Sequence, residues 1–256
     1  MNPSEPRHAA LKPDARLDAY FSGEDERRRV TRELFDQAAA GYDEAERITG
    51  FGTGPRYRRE VLQRNGLGAG MHLLDVAAGT GLVTVAGVEL VGPQGRVLAL
   101  DPSPGMLAEL RRKVDVETLE GYAEAIPLPD AHVDFISMGY ALRHVGDLDR
   151  AFSEYLRVLR PGGRVCLMEI SRPQNRLGQW LLAAYLGTVV PLLSRLGRSR
   201  TDVGRLWAYY GDTVTAAIEP ALVLAALRRA GFEDVGCTVT FGIFREYLGR
   251  KADRVS

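Results

Sequence analysis

The chain has 256 residues, 45% of them hydrophobic, and balances 33 Lys and Arg against 33 Asp and Glu. That is enough for one large domain or two small ones, and a formal charge of zero argues against a nucleic-acid partner, which leaves a basic footprint. The two cysteines, Cys166 and Cys237, give neither a disulfide framework nor a zinc pattern, so no metal is expected and both read as small buried apolar residues. The opening residues lack the apolar run of a secretion signal, and the expectation is a cytoplasmic protein.

Residues 1–22 are polar and Pro-containing and read as a flexible tail. From there to the C-terminus, 23–256, the pattern is that of a single domain. In EDERRRVTRELFDQAAAGYDEAE, Val30, Leu34, Phe35 and Ala38 share one helical face. A second helix around Pro55 to Asn65 completes an N-terminal helical lid, 23–66. Strands and helices then alternate through a core spanning 67–171. HLLDV reads as a buried strand, followed by a Gly-rich turn and the helix LVTVAGVELV. RVLALD is a second strand ending on Asp101, with the helix SPGMLAELRRKV behind it. A short third strand lies in VETLEGYAEAIPL, a fourth in VDFISMGYAL, and LDRAFSEYLRVLR is an amphipathic helix. Pro161-Gly162-Gly163 is expected to stop that helix, with Gly accepting a left-handed cap, before the fifth strand RVCLMEIS.

Residues 172–215 form an unusually apolar helical stretch, read as a substrate lid. Within it, Leu177 to Gly197 is about as long as a membrane span, which takes ~20 residues. Gln179, Pro191, Arg195 and the glycines interrupt it, so it reads instead as a helix lining a greasy pocket or touching a bilayer surface. The remainder, 216–256, holds the helix EPALVLAALRRAGF, closed by Gly231, and two antiparallel edge strands in EDVGCTVTFGIFREYLGR. The expected fold is α/β: a mostly parallel seven-stranded sheet with helices on both faces and an antiparallel C-terminal hairpin strand.

In such sheets ligands sit beyond the carboxyl ends of the strands, where the strand order reverses. Asp75, Gly79 and Gly81 fall at the end of the first strand and Asp101 at the end of the second. An acid at Asp101 can accept both hydroxyls of a ribose. The turn reads D-V-A-A-G-T-G rather than G-x-G-x-x-G, so Ala77, Ala78 and Gly79 bare the backbone without the diphosphate fingerprint. That favours a nucleoside carrying a cationic or amino-acid portion, with Asp75 ordering the loop around it.

The stretches LFDQAAAGYDEA, LLDVAAGTGLVT, LALDPSPGML, AEAIPLPDAHVDFISMGYALRHVGDLDRA, RVLRPGGRVCLMEISRP and LRRAGFEDV span about Leu34 to Val235. In order and spacing they resemble the class I S-adenosylmethionine-dependent methyltransferases, and within them the ubiquinone/menaquinone C-methyltransferase family, a Rossmann-like fold. The resemblance implies S-adenosylmethionine as cofactor and S-adenosylhomocysteine as product. The family's cofactor turn matches Asp75, Ala77, Gly79, Thr80, Gly81 and Thr84. Its ribose acid matches Asp101, followed by Pro102 and by Met106 as an adenine-packing residue. Tyr122, Ala123 and Glu124 match the adenine loop, and Tyr122 replaces the family's Asn or Asp, which implies stacking. Gly139 stands where the family has a Ser near the sulfonium. Tyr42 and Asp43 match a Tyr-Asp pair that helps close the cofactor site.

YALRHV, Tyr140 to Val145, resembles the family's F-G-x-R-N segment. Arg143 matches its Arg, implied to favour the phenolate of an acceptor, and His144 replaces the Asn as a candidate base. Structural roles for both residues stay open at this stage. Tyr140, Trp207, Tyr209 and Tyr210 are expected to line an aromatic acceptor pocket. The implied acceptor is a small lipophilic phenol or quinol methylated on a ring carbon. The alternative is an O-, N- or C-methyltransferase of a specialised aromatic or polyketide metabolite. Contact with a membrane surface and a homodimer are further expectations.

Overall fold

The computed structural model describes residues 23–49, 54–171, 173, 175–189 and 218–253. Trp207, Tyr209 and Tyr210, the tail 1–22 and the second half of the apolar stretch lie outside them. In chain order the elements are α1 (Glu24–Thr49), α2 (Gly54–Arg64), β1 (His72–Val76), α3 (Leu82–Val91), β2 (Arg96–Asp101), α4 (Pro104–Lys113) and β3 (Glu117–Glu120). Then follow β4 (Val133–Gly139), a 3-10 turn (Leu142–His144), α5 (Leu148–Val158), β5 (Leu159–Ile170) and α6 (Arg176–Ala184), which runs into a π turn (Tyr185–Val189). The last described elements are α7 (Pro220–Ala230), β6 (Glu233–Thr240) and β7 (Phe244–Arg250).

The seven strands lie in the order β3-β2-β1-β4-β5-β7-β6, and β7 runs antiparallel to both its neighbours. The chain moves outward from β1 to β2 and β3, then returns to β4 on the other side of β1. A crevice opens at that reversal, beyond the carboxyl ends of β1 and β4. Burial on both faces explains why β1 and β2 read as continuous apolar runs. Leu74, Leu98, Leu100, Ile136 and Met138 pack with Phe152 and Tyr155 of α5 and Val223 and Leu227 of α7. Leu73, Val97, Phe135 and Cys166 pack on the other side with Val61 and Leu62 of α2 and Val83 and Ala86 of α3.

Two local expectations are corrected. α5 ends at Val158, and Leu159 leaves it in extended conformation rather than through a left-handed glycine. β5 already begins at Leu159. Arg160 to Gly163 bulge out between the pairs Val133–Leu159 and Phe135–Arg164, with Gly162 at φ 77°. The Pro-Gly-Gly therefore kinks a strand instead of capping a helix. Cys166 is buried as expected, whereas Cys237 on edge strand β6 is only partly covered. Gly231 does take the left-handed cap of α7, at φ 102°.

Among the described residues no helix is long and apolar enough to cross a membrane. Gly81, which opens α3, sits at φ 86°, and a Cβ there would lie 2.7 Å from Leu110 Cγ. The Gly81 ψ of 21° places it in the left-handed helical region. Gly81→Ala is expected to cost about 2 kcal/mol or more, because overpacking adds to backbone strain. Urea unfolding checks this in the wild-type and Leu110→Ala backgrounds: the cost should fall where Leu110 is truncated, and an equal cost in both would rule out the clash with Leu110.

Candidate active site

A cleft of about 940 Å³, its open mouth included, occupies the crevice. Its floor is the β1 turn, with Ala77 at φ 52° and Gly79 at φ 55°. A Cβ on Gly79 would meet nothing within 4 Å, so the outer face of this turn stands open to a ligand. Asp101, Pro102 and Met106 form the next wall. Asp101 accepts the Gly79 N–H on Oδ2 and the Ser103 N–H on Oδ1, each at 2.8 Å. Each oxygen keeps capacity for another donor, which suits a pair of vicinal hydroxyls. Tyr122, Ala123 and Glu124 line the same end. The Arg28 guanidinium lies 4.8 Å from the centre of the Tyr122 ring. Glu124 is pinned at 2.8 Å by the Gly146 N–H, so its carboxylate orders the loop behind the cleft.

The opposite wall comes from Gly139, Tyr140 and His144 after β4, with Tyr42 and Phe35 from α1. Tyr140 holds a left-handed φ of 60°, fixed by its N–H to Met168 O at 2.7 Å. Its ring faces the buried Arg58 guanidinium at 5.3 Å, and burial pushes its phenol above the ordinary range. His144 is half-buried, in a T-shaped contact with Phe35 at 5.3 Å between ring centres. Burial, with the nearby Arg143 and Arg27 charges adding, drives its imidazole well below the usual histidine range, so it is neutral at neutral pH.

Asp75, Thr80, Gly81, Thr84 and Arg143 lie behind this lining rather than in it. Asp75 is fully buried and accepts Thr84 Oγ1 at 2.7 Å and Ser137 Oγ at 2.8 Å. Thr80 donates its hydroxyl to Asp43 of α1 and its carbonyl accepts Lys113 Nζ at 2.6 Å. Asp43 also pairs with Lys113, so the lid is tied to the turn from above. The Arg143 Nη1 donates to Glu169 Oε1 at 2.6 Å, and Glu169 Oε2 accepts the Arg143 N–H at 3.3 Å. That guanidinium borders a separate small cavity with Glu169, Ser171 and Tyr247.

Residues 22–251 match the ubiE/COQ5 methyltransferase family. The chain belongs to that family. It is 38% identical to the demethylmenaquinone methyltransferase of Symbiobacterium thermophilum, over 66% of this chain and 70% of that one. It is 31% identical to the ubiquinone/menaquinone biosynthesis C-methyltransferase UbiE of Shewanella sediminis, over 85% and 89% of the two chains. A S-adenosylmethionine-dependent methyltransferase from Aquifex aeolicus has the same fold (TM-score 0.57, 21% identity, 80% of this chain and 97% of that one). So does one from Thermotoga maritima (TM-score 0.61, 19% identity, 86% and 99%). The protein is thus a S-adenosylmethionine-dependent methyltransferase. The open turn at Gly79 and the remaining capacity of Asp101 fit that cofactor.

The methyltransferase cleft has one wall that sequence reasoning missed. Arg27, Arg28, Thr31 and Arg32 of α1 line it together with Phe35 and Tyr42. Arg27, Thr31 and Phe35 recur at the i, i+4 spacing of one helical stripe, so the signal was present. Four arginines within six residues suit a solvated face equally well, so the spacing alone does not mark a cleft wall. Ser103 and Met138 were missed as well.

Burial pushes both Asp75 and Asp101 up to about 6, against the hydroxyl and backbone donors that favour their charged forms. In the unfolded chain an Asp titrates near ~3.9. The folded protein therefore binds extra protons between those values. Their contribution to stability is fully present below the unfolded pKa and is lost as pH rises through about 6. Asp75→Asn removes one of the two titrations and is expected to flatten the dependence of unfolding free energy on pH in that window. Urea melts at stepped pH measure it; a slope identical to wild type would mean Asp75 is not titrating there.

Proposed function

We propose that this methyltransferase methylates a ring carbon of a lipophilic phenol or quinol. The observation that carries the reading is His144: a neutral imidazole on the wall of a cleft otherwise lined largely by apolar and aromatic groups. The relatives named for demethylmenaquinone and for ubiquinone/menaquinone biosynthesis support the acceptor class. Asp101 would hold the ribose hydroxyls, Met106 and Tyr122 the adenine, and the bare Ala77–Gly79 backbone the rest of the nucleoside. When bound, the cofactor supplies a methyl group already activated on a sulfonium.

The chain's own contribution is alignment, exclusion of water and proton handling. Phe35 and Tyr140 confine a flat ring against the cleft wall. His144, being neutral, takes the acceptor's hydroxyl proton, which raises electron density at the ring carbon that accepts the methyl. After the new carbon–carbon bond forms, the imidazolium gives its proton to solvent; the ring carbon then loses its hydrogen as a proton to the neutral imidazole, which passes it to the acceptor oxygen as the ring becomes aromatic again.

The test is transfer of a labelled methyl to a panel of quinols, simple phenols and phenolic polyketides, with mass spectrometry locating the methyl. Label on a quinol or phenol ring carbon is the expected result. Label on oxygen or nitrogen, or on polyketides alone, would replace this reading with a specialised-metabolite methyltransferase. His144→Ala is expected to lower kcat by ~100-fold and to remove the acidic limb of the rate profile, leaving cofactor affinity intact. Full turnover with an unchanged pH profile would end the base role. Asp101→Asn, conversely, is expected to weaken S-adenosylhomocysteine binding by ~10-fold or more, the scale of a hydrogen bond to a charged group.

A further inference from the structure

Tyr140 follows β4 in a conformation that a tyrosine does not keep unaided. Its backbone is left-handed, at φ 60°, and such a residue persists only where its surroundings hold it. The N–H bond to Met168 O fixes the main chain but leaves the ring free to turn about its side-chain torsions. Two groups restrain the ring. Phe244, at the start of β7, meets it in a T-shaped contact at 6.4 Å between centres. The Arg58 guanidinium of α2 lies over it at 5.3 Å.

Arg58 is only 4% exposed, and its Nη2 donates to Glu46, near the end of α1, at 2.8 Å. Its Nε and Nη1 are buried and have no hydrogen-bond partner among the described residues. An aromatic face attracts a cation within about 6 Å, most strongly where water is excluded. The chain around the pair leaves room for it. A Cβ on Gly54, the first residue of α2, would run into both Arg58 Nη1 and Glu46 Oε1. Tyr57, beside Arg58, packs on Phe244 at 5.1 Å and gives its hydroxyl to the buried Glu246 at 2.9 Å. α2 therefore reaches the Tyr140 ring directly through Arg58 and indirectly through Phe244.

We propose that Arg58 is a positioning residue for methyl transfer: its guanidinium, oriented by Glu46, fixes the Tyr140 ring as the wall that orients the acceptor. The proposal rests on the reading that Tyr140 confines the acceptor ring. Arg58 stands outside the cleft lining, so it acts through Tyr140. Glu46 belongs to α1, which also contributes Phe35 and Tyr42 to the cleft, so the same helix that lines one side sets the ring on the other. An aliphatic side chain at position 58 can fill the space but offers the ring no charge to hold it.

Carbon-13 labelling of the tyrosine rings reads the hold on Tyr140 by NMR, in the full-length protein saturated with S-adenosylhomocysteine. The Tyr140 ring signal is identified by its loss in Tyr140→Leu. Arg58→Met keeps the length without the charge and is expected to shift that signal. Gly54→Ala, which displaces the guanidinium without removing it, should shift it as well and serves if Arg58→Met does not fold. Kinetics follow on the panel compound that takes the methyl fastest. Arg58→Met is expected to raise KM for the acceptor ~10-fold, the scale of a desolvated cation–π contact. S-adenosylhomocysteine affinity, measured by calorimetry, should stay at the wild-type level. Arg58→Lys, which retains a cation, should recover part of the loss. In the Tyr140→Leu background, which has no ring to hold, Arg58→Met should raise KM no further. An unmoved Tyr140 signal in Arg58→Met, no recovery by lysine, or equal rises in KM in both backgrounds would overturn the proposal. The two readings fail separately. A wild-type acceptor KM in Tyr140→Leu removes Tyr140 from the acceptor wall, whereas a raised KM there with a wild-type KM in Arg58→Met overturns the role of Arg58 alone. The ring signal needs no acceptor, so it decides on Arg58 whether or not any compound of the panel is methylated.

Discussion

The carboxylate of Asp75 is the point on which the cleft depends. It sits one residue before the end of β1 with no exposure, and it gathers the Thr84 hydroxyl from α3 and the Ser137 hydroxyl from β4. Those three elements meet at the one place where the strand order reverses, and each hydrogen bond to a charged acceptor contributes about 1.5–3 kcal/mol. The clamp draws the start of α3 toward β4 beneath the turn. The residues above it, Ala77 to Gly81, then have to reach α3 through left-handed backbone at Ala77, Gly79 and Gly81. A bare, outward-facing turn is the consequence of that geometry. Asp75 therefore shapes the floor of the cleft from below without lining it.

Glu169 performs a comparable task on the acceptor side. Its two oxygens receive the Arg143 side chain and the Arg143 N–H, and Oε1 also receives the N–H of Ile170. One carboxylate thus fixes both the entrance to the 3-10 turn and the end of β5. The arrangement holds His144 against Phe35 while turning the Arg143 charge away from the cleft. A buried ion pair of this kind is weak support for stability, since desolvation offsets much of its attraction. Its worth here lies in orientation: together with the Tyr140 N–H on Met168 O and the Gly146 N–H on Glu124, it sets the direction of the turn that presents His144.

Most of the sheet was legible because burial on both faces leaves apolar runs, and HLLDV, RVLALD and VDFISMG carry them with few polar interruptions. The bare turn after β1 was legible for a related reason, since small residues between a strand and a helix leave the backbone uncovered, as Ala77 and Gly79 do at positive φ. Two kinds of information were not. The Pro161–Gly163 bulge depends on β5 pairing with Val133 before the kink, a contact between distant segments that local helix-stop chemistry does not register. The orientation of Arg143 depends on Glu169, 26 residues away, and no spacing rule links an arginine after β4 to a carboxylate near the end of β5. The α1 wall failed differently. Its periodicity was in view, but a stripe of arginines and a solvent-facing stripe look alike until another surface is laid against it.

That surface also explains why the lid can position chemistry at all. Asp36 of α1 accepts the Ser103 hydroxyl and the Gly105 N–H at the start of α4, and Asp43, two turns on, accepts the Thr80 hydroxyl over the cofactor turn. Seven residues of helix separate the two anchors by about 10 Å, so α1 is pinned at two points flanking the nucleoside end of the cleft. Arg27, Thr31 and Phe35 extend from the first anchor toward His144 on the same rigid rod. The α1 side chains that line the cleft are therefore indexed to the β1 turn and to α4, rather than to the sheet alone. Displacing either anchor would move the acceptor wall as a unit, and methyl transfer is sensitive to that kind of displacement because it depends on near-attack alignment of carbon, methyl and sulfur.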